Sequence, residues 1–343
     1  MEAKNATMRE IAKVAGVSLS TVFRVLSSDV PVSPTTRAKV IAAQQILQSK
    51  KASVSTEDAA QHSVGIIMPT YSAEDLSAHP SMFTIITSFV EELSMRSISN
   101  TTIVYDENLL SPQSLIASPK DGYLIIGTSE EQEKSIVPVL SQAGIPCVLI
   151  NRHANISHVG SVHIDDMAAT TDATEHLISL GHRNIAFIGG NKNFQNTKRR
   201  LLGYQMALEK HGIPLRSCNI LFGEYNERSG YQKGRELLSL PERPTAGIFA
   251  SDPLAIGCMK YLTEQGLHLP EDFALVGFGN IEACQYVTPT LSTVSQPSRE
   301  TGIVAADVLI QMIEKPIICS QQVQLKTDLV IRDSSGSALS IHR

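Results

Sequence analysis

Along residues 11–26, IAKVAGVSLSTVFRVL, the apolar positions fall into two short bursts of helical spacing separated by Gly16. They lie too close together for one ordinary amphipathic helix. Thr7-Met8-Arg9-Glu10 has the form of a capping box, in which the Thr7 hydroxyl accepts from the Glu10 amide and the Glu10 carboxylate returns to the Thr7 amide. The first helix then carries Ile11, Val14 and Ala15 on one face, and Gly16 ends it by admitting positive φ. Ser18 caps a second helix, with Leu19, Val22, Val25 and Leu26 inward and Arg24 outward. Ser33-Pro34 opens a third, running through Ala38, Val40, Ile41 and Ile46. Two helices joined by a turn of three or four residues make a helix-turn-helix, and the break at Gly16 is what lets the second cross the first.

From Ser63 the period changes. SVGIIMP, TTIVYD, GYLIIG, PCVLIN, NIAFIGG, AGIFAS and FALVGF read as buried strands, alternating with helical stretches at 82–96, 132–143, 167–180, 199–211, 228–239 and 253–265. Such alternation predicts parallel sheets covered on both faces, with ligands bound at the carboxyl ends of the strands. The expected fold is an all-α head followed by an α/β body.

Composition sharpens this division. With 343 residues, 42% of them apolar, the chain is long enough for two or three domains. Residues 1–51 hold eight Lys/Arg against three acids, whereas the remaining 292 hold 21 against 31. A basic head of net +5 on an acidic body of net −10 fits a nucleic-acid-binding module fused to a second function. No apolar run reaches the roughly 18 residues of a membrane span, and MEAKNATMRE has no apolar signal core, so a cytoplasmic location is expected. The five cysteines, Cys147, Cys218, Cys258, Cys284 and Cys319, are scattered without a C-x-x-C pair, which points to neither a disulfide framework nor a structural zinc site.

Catalytic constellations are absent from the pattern. Phe187-Ile188-Gly189-Gly190 lacks the third glycine of a dinucleotide fingerprint, and neither a phosphate-loop lysine motif nor a G-x-S-x-G elbow occurs. His176 and His182 flank Gly181 and read as helix-end histidines. A non-enzyme without a cofactor or metal is expected.

TMREIAKVAGVSLSTVFRVL followed by VSPTTRAKVIAA resembles the head of the lac repressor family of bacterial transcription regulators, whose usual form is close to T-I-x-D-V-A-x-x-A-G-V-S-x-x-T-V-S-R-V-L-N and V-S-x-x-T-R-x-x-V. The resemblance implies that Leu19, Ser20 and Arg24 read base edges while Ser18, Thr21 and helix amides hold phosphates, with Thr7 in the same DNA-facing set. Phe23 replaces the family's serine, altering a phosphate contact or stacking against sugar. The family's hinge pattern L-G-Y-x-P-N-x-x-A-R-x-L is here ILQSKKASVSTEDAAQHS: Leu47 aligns, but Gly-Tyr, Pro-Asn and the wedging leucine do not, and Glu57 and Asp58 would repel phosphate. The resemblance therefore carries DNA binding more firmly than kinking by the hinge.

It continues through the body. PCVLINRH is similar to V-V-x-I-D-R, VHIDDMAATTDATEHLISLGHRNIAFIGG to V-x-x-D-N-x-x-G-x-x-A-T-E-H-L-x-x-x-G-H-x-x-I-A-F-I-G-G, and RRLLGYQMAL to R-x-x-G-Y-x-x-A-L. IFASDPLAIGCM, LVGFGNIEACQYVTPTLSTVSQPSRETG and LVIRDSS follow the family's later motifs. This implies two parallel-sheet subdomains resembling periplasmic sugar-binding proteins, joined by three crossovers around a small effector. The expected division is 1–51 for the head, 52–62 for the linker and 63–335 for the body, with 336–343 as a tail. Within the body, 63–160 plus 292–318 would form one subdomain and 161–291 plus 319–335 the other.

The cleft positions that match are Phe83, Arg152, Asp165, Arg200, Tyr225, Ser251, Asp252, Asn280 and Gln296. Carboxylate, amide and guanidinium groups suit hydroxyls, and an aromatic ring suits a sugar face. Arg200 is the strongest, because its planar fork can hold two vicinal oxygens or a carboxylate. Each has a plainer alternative: Asp165 as the start of a helix, Asp252 as a cap, Tyr225 as core, Arg200 as a solvated helix start. Gly279 stands where many sugar-responsive members carry Asp, and Ser251 where Asn is usual. Loss of that carboxylate suggests an acidic sugar derivative as effector, its carboxylate paired with Arg200 or Arg152.

As in helix-turn-helix dimers, two heads are expected to read a pseudo-palindromic operator, in a homodimer formed through the bodies. SSGSALSIHR shows no leucine heptad for tetramerisation. Two other readings compete with a ligand-responsive repressor: a DNA-binding regulator answering to a protein partner, and a sugar sensor with weakened DNA binding.

Overall fold

The computed structural model describes residues 62–69, 80–105, 111–152, 154, 156–315 and 320–336, together with positions 17, 21, 25, 36 and 40. The chain divides into two units, Met1–Gln61 and His62–Arg343. In the first, Thr21, Val25, Thr36 and Val40 are helical and Val25 and Val40 are buried, in agreement with the second and third expected helices. Thr7, Ser18, Leu19, Ser20, Phe23, Arg24 and the linker up to Gln61 lie outside the described residues.

The second unit contains two six-stranded sheets. The chain begins the first sheet with β1 (Ser63–Pro69), α1 (Pro80–Met95), β2 (Ser99–Tyr105), α2 (Pro112–Ala117), β3 (Gly122–Ile125), α3 (Glu130–Gln142), β4 (Cys147–Ile150) and β5 (Val159–Ile164). It then crosses to the second sheet for α4 (Asp166–Ser179), β6 (Ile185–Gly189), α5 (Gln195–Lys210), β7 (Ile220–Phe222), α6 (Glu227–Leu238), β8 (Ala246–Phe249), α7 (Asp252–Glu264), β9 (Ala274–Gly279) and β10 (Ser292–Ser295). The remaining elements are α8 (Ser298–Glu314), β11 (Gln321–Leu325) and β12 (Asp328–Val330). Sheet order is β11-β5-β4-β3-β1-β2 in the first, all parallel. The second runs β12-β10-β9-β8-β6-β7, parallel except for its β12 edge.

Pairing moves the expected subdomain boundaries. All of β5 belongs to the first sheet, where Val159 pairs with Cys147 and Gly160 with Gln321. Conversely, Ser292–Ser295, expected in the first subdomain, pairs with β9 in the second, Ser292 opposite Val276. Gln321–Leu325, expected in the second, closes the first. The crossovers therefore fall at Ile164–Asp166, Ser295–Ser298 and Leu325–Asp328.

Helix starts have local causes. Ser129 caps α3 in a capping box with Gln132, Asn226 caps α6 by accepting from the Ser229 amide at 2.8 Å, and Ser251 caps α7. Apolar faces then bury against the sheets: Ile85, Phe89 and Leu93 of α1 and Ala305 and Leu309 of α8 share one cluster over β1 and β3. Leu177, Tyr204, Leu254, Leu262 and Val276 belong to the core of the second sheet.

His182, in the turn between α4 and β6, is buried, with Nδ1 2.9 Å from the Thr245 hydroxyl. Burial chiefly, and then the nearby charges of His176 and Arg183, push its imidazole down to about 4. The fold thus favours the neutral ring: the stability it contributes is complete above the unfolded value near 6.5 and is lost as pH falls toward 4. Thermal melts between pH 7 and 4 should show a falling melting temperature, and His182→Gln should flatten that fall. An unchanged slope in the variant would assign acid sensitivity to other groups.

Candidate ligand-binding cavity

Between the carboxyl ends of the two sheets lies a cavity of about 140 Å³. Parallel strands end there together, and the chain leaves them in loops that must turn into helices, so side chains from distant segments converge. The first sheet contributes Ser81, Met82 and Ile85 from the start of α1, Ile126 and Gly127 beyond β3, and Ile150 at the end of β4 with Asn151 and Arg152 beyond it. Opposite them stand Phe194, Asn196 and Arg200 beyond β6, Tyr225 beyond β7, Ser251 beyond β8, Phe278 and Ile281 around the end of β9, and Gln296 after β10.

Of the nine expected positions, Arg152, Arg200, Tyr225, Ser251 and Gln296 line this cavity. Phe83, Asp165, Asp252 and Asn280 do not. Helical rotation turns Met82 and Ile85 inward and leaves Phe83 42% exposed. Asp165 is the N-cap of α4, accepting from the Ala168 amide at 3.1 Å and from Arg199 Nη2 at 3.3 Å. Asp252 is fully buried, accepting from the Thr293 hydroxyl and, at 3.0 Å, from the Ile281 amide. Its burial raises the carboxyl above the usual range, opposed most by the Thr293 hydrogen bond. Asn280, at φ 56°, accepts from Arg332 Nη2 at 2.7 Å and faces Ser295.

Arg200 is 4% exposed and held on three sides. Nε donates to Asp166 at 2.7 Å, Nη1 donates to the Ala250 carbonyl, and the guanidinium carbon sits 3.5 Å from the centre of the Phe278 ring. Nη2 has no acceptor among the described residues. On the opposite wall, Arg152 Nε donates to Glu133 at 2.8 and 3.1 Å, Nη1 to the Asn151 carbonyl at 3.1 Å and Nη2 to the Thr128 carbonyl at 2.7 Å. Burial raises the Glu133 carboxyl, and the Arg152 charge opposes that rise.

The aromatic part of the cavity is also built tightly. Tyr225 stacks on Phe194 with ring centres 6.3 Å apart and bonds the Thr197 hydroxyl at 2.5 Å. Gly190 lies against the Tyr225 ring, where a Cβ would come within 2.2 Å. Asn151, at φ 57°, turns out of β4 with its Oδ1 buried and unpartnered. Asp166, Glu133, Asn151 and Phe278 were not anticipated from sequence. Only Asp166 left a local signal, as the second acid of IDD beside the expected Asp165.

What this arrangement offers is hydrogen bonding between aromatic and aliphatic walls. Among the described residues, no three His, Cys, Asp or Glu side chains are grouped to hold a metal, and no helix is long and apolar enough to cross a membrane.

Residues 7–48 match the family described as bacterial regulatory proteins, lacI family, and residues 174–335 match the periplasmic binding protein-like domain. Catabolite control protein A of Priestia megaterium is 30% identical over 96% of this chain and 99% of its own length. The probable HTH-type transcriptional repressor ExuR of Bacillus subtilis (strain 168) is 28% identical over 96% of this chain and 98% of its own. Among solved structures, a complex of the transcriptional regulator CelR with cellobiose is 27% identical, with a TM-score of 0.72 over 96% of this chain and 99% of that one.

Proposed function

Because the chain belongs to the LacI family of bacterial regulatory proteins, we propose that it is a cytoplasmic transcriptional repressor whose hold on operator DNA is set by a sugar-class ligand in the cavity between its sheets. The observation that carries this reading is the cavity's position. It is walled by both sheets at the ends where the three crossovers lie, so a ligand touching both walls changes the preference between open and closed arrangements. Arg200, Tyr225, Ser251 and Gln296 are the proposed contacts from one side and Arg152 from the other. The relative complexed with cellobiose supports a carbohydrate ligand.

The head would read a pseudo-palindromic operator as a homodimer, with Leu19, Ser20 and Arg24 on base edges and Thr7, Ser18, Thr21 and Phe23 along the backbone. Neither a cofactor nor an enzymatic step is required. By linkage, whatever factor the ligand applies to DNA affinity, DNA applies to ligand affinity.

The test has two arms. A ligand present at one hundred times its Kd stabilises the folded state by about 2.7 kcal/mol, so a thermal-shift panel of neutral sugars, sugar acids, sugar phosphates and nucleosides should give a shift confined to one class. That ligand should then change the affinity for an operator duplex, and DNA binding should weaken steeply as salt rises through released counterions. A ligand that shifts melting yet leaves DNA affinity unchanged at every salt concentration would overturn the coupling.

A further inference from the structure

Both arginines of the cavity are already matched by carboxylates, Asp166 buried and Glu133 half-buried. Arg200 and Asp166 have side chains 5% and 3% exposed at 2.7 Å, and Arg152 and Glu133 have 8% and 14% at 2.8 Å. No carboxylate lines the cavity among the described residues, and its only cations are these two. The site therefore presents guanidinium donors without net positive charge.

An entering carboxylate would face an unfavourable balance. It must lose its water in a low-dielectric space, which costs several kcal/mol, and an unmatched cation would have to offset that cost. Arg200 offers no unmatched charge, since Asp166 already pairs with it at Nε; a second carboxylate would leave three charges summing to −1 in the interior. A neutral polyhydroxy ligand meets no such penalty. Arg200 Nη2 can donate to a hydroxyl oxygen, and Asn151 Oδ1, buried without a partner, can accept a hydroxyl proton.

The sequence places these charges consistently. Relative to the family pattern quoted above, Asn151 and Gly279 stand where Asp is usual, while Asp166 stands where the pattern V-x-x-D-N has Asn. Among the lining residues a carboxylate is missing at Asn151, and one is present behind Arg200. Gly279 alone suggests an acidic effector; the paired arginines reverse that sign.

We propose that Asp166 and Glu133 are specificity-determining residues: by neutralising Arg200 and Arg152 they restrict the cavity to uncharged polyhydroxy ligands and exclude the corresponding acids. The proposal rests on the sugar-class reading of the cavity and deepens it. Both residues act through the arginines they hold rather than by touching the ligand, so the diagnostic quantity is the ratio of affinities for neutral and acidic forms, which a purely structural role would leave unchanged.

Calorimetry and thermal shift on the full-length protein at pH 7.5 would use matched probes, galactose with galacturonate and glucose with gluconate. Acetate and phosphate serve as plain anions at constant ionic strength. In the unaltered protein at least one neutral member should bind about tenfold or more tighter than its acid, and acetate or phosphate should give no shift beyond that of chloride. Glu133→Gln and Asp166→Asn should each move the ratio about tenfold or more toward the acid, about 1.4 kcal/mol, and gain an anion-specific shift. Asp166→Glu should retain the original ratio. Tighter binding of the acid by the unaltered protein, or variants that fold but keep its ratio, would overturn the proposal; Glu133→Gln keeps it testable if Asp166→Asn does not fold. If no sugar or sugar acid binds, yet the variants gain the anion-specific shift, the sugar-class reading fails and the charge assignment stands. With neither, both fail.

Discussion

Replacing Arg200 with alanine is expected to abolish ligand-induced stabilisation and to lower the unfolding free energy of the body by about 3–5 kcal/mol, the usual cost of breaking a buried ion pair. The loss has several parts. Asp166, 2% exposed, would be left as an uncompensated charge, the Ala250 carbonyl would lose its donor, and Phe278 would lose the cation stacked on its ring. Because Arg200 belongs to α5 and Asp166 opens α4, immediately after the first crossover, their bond also ties α5 to the start of α4. Urea titration monitored by circular dichroism measures the loss. A second comparison separates charge from packing: Arg200→Met combined with Asp166→Leu removes both charges at similar volume and should recover much of the stability while still binding no ligand. Should Arg200→Ala alone melt within about 0.5 kcal/mol of the unaltered protein, the level of an ordinary surface change, the pair would have to be solvated rather than buried.

How far sequence reached into this site depended on whether a residue's role was set locally. The strands β1, β3, β4, β6, β8 and β9 announce themselves as apolar runs because both faces of their sheets are covered. In contrast, β5, β10 and β11 read as VGSVHI, STVS and QQVQL. In β10 the polar residue is accommodated by a distant partner: Ser292, fully buried, is bonded by Ser334 and Ser335 of the C-terminal turn, some forty residues on. Those three unsignalled strands flank or form the crossovers, which is why the expected subdomain boundaries were displaced while the fold itself was correct.

The cavity repeats that pattern on a smaller scale. Arg200 and Tyr225 were legible because a large functional group sits in a recognisable stretch. A helix turns about 100° per residue, so a one-residue uncertainty separates Phe83, which faces outward, from Met82, which lines the cavity. In the IDD stretch the same rotation gives Asp165 the cap and Asp166 the arginine. Glu133 had no signal at all: it meets Arg152 only because α3 packs beside the end of β4, a tertiary fact without a local trace.

Gly257→Ala is expected to destabilise the body by about 2 kcal/mol or more, although alanine is the better helix former. On α7, a Cβ at Gly257 would lie 1.9 Å from the Glu227 carbonyl oxygen of α6, and on α6 a Cβ at Gly230 would lie 2.1 Å from the Leu254 carbonyl oxygen of α7. Each glycine thus receives the other helix's backbone. Backbone cannot rotate aside as a flexible side chain can, so the helices must separate, at the upper end of the 1–3 kcal/mol typical of overpacking. The opposing gain in helix propensity is at most about 1 kcal/mol, so the loss prevails. The consequence reaches the cavity, because α6 begins two residues after Tyr225 and α7 immediately after Ser251. Separating them displaces an aromatic wall and a hydroxyl together, so the affinity for ligand should fall in parallel with stability. Lys260→Ala, on the exposed face of the same α7, should change stability by less than about 0.5 kcal/mol and leave affinity intact. Equal melting of Gly257→Ala and the unaltered protein would mean that α6 and α7 lie farther apart in solution than their glycines require.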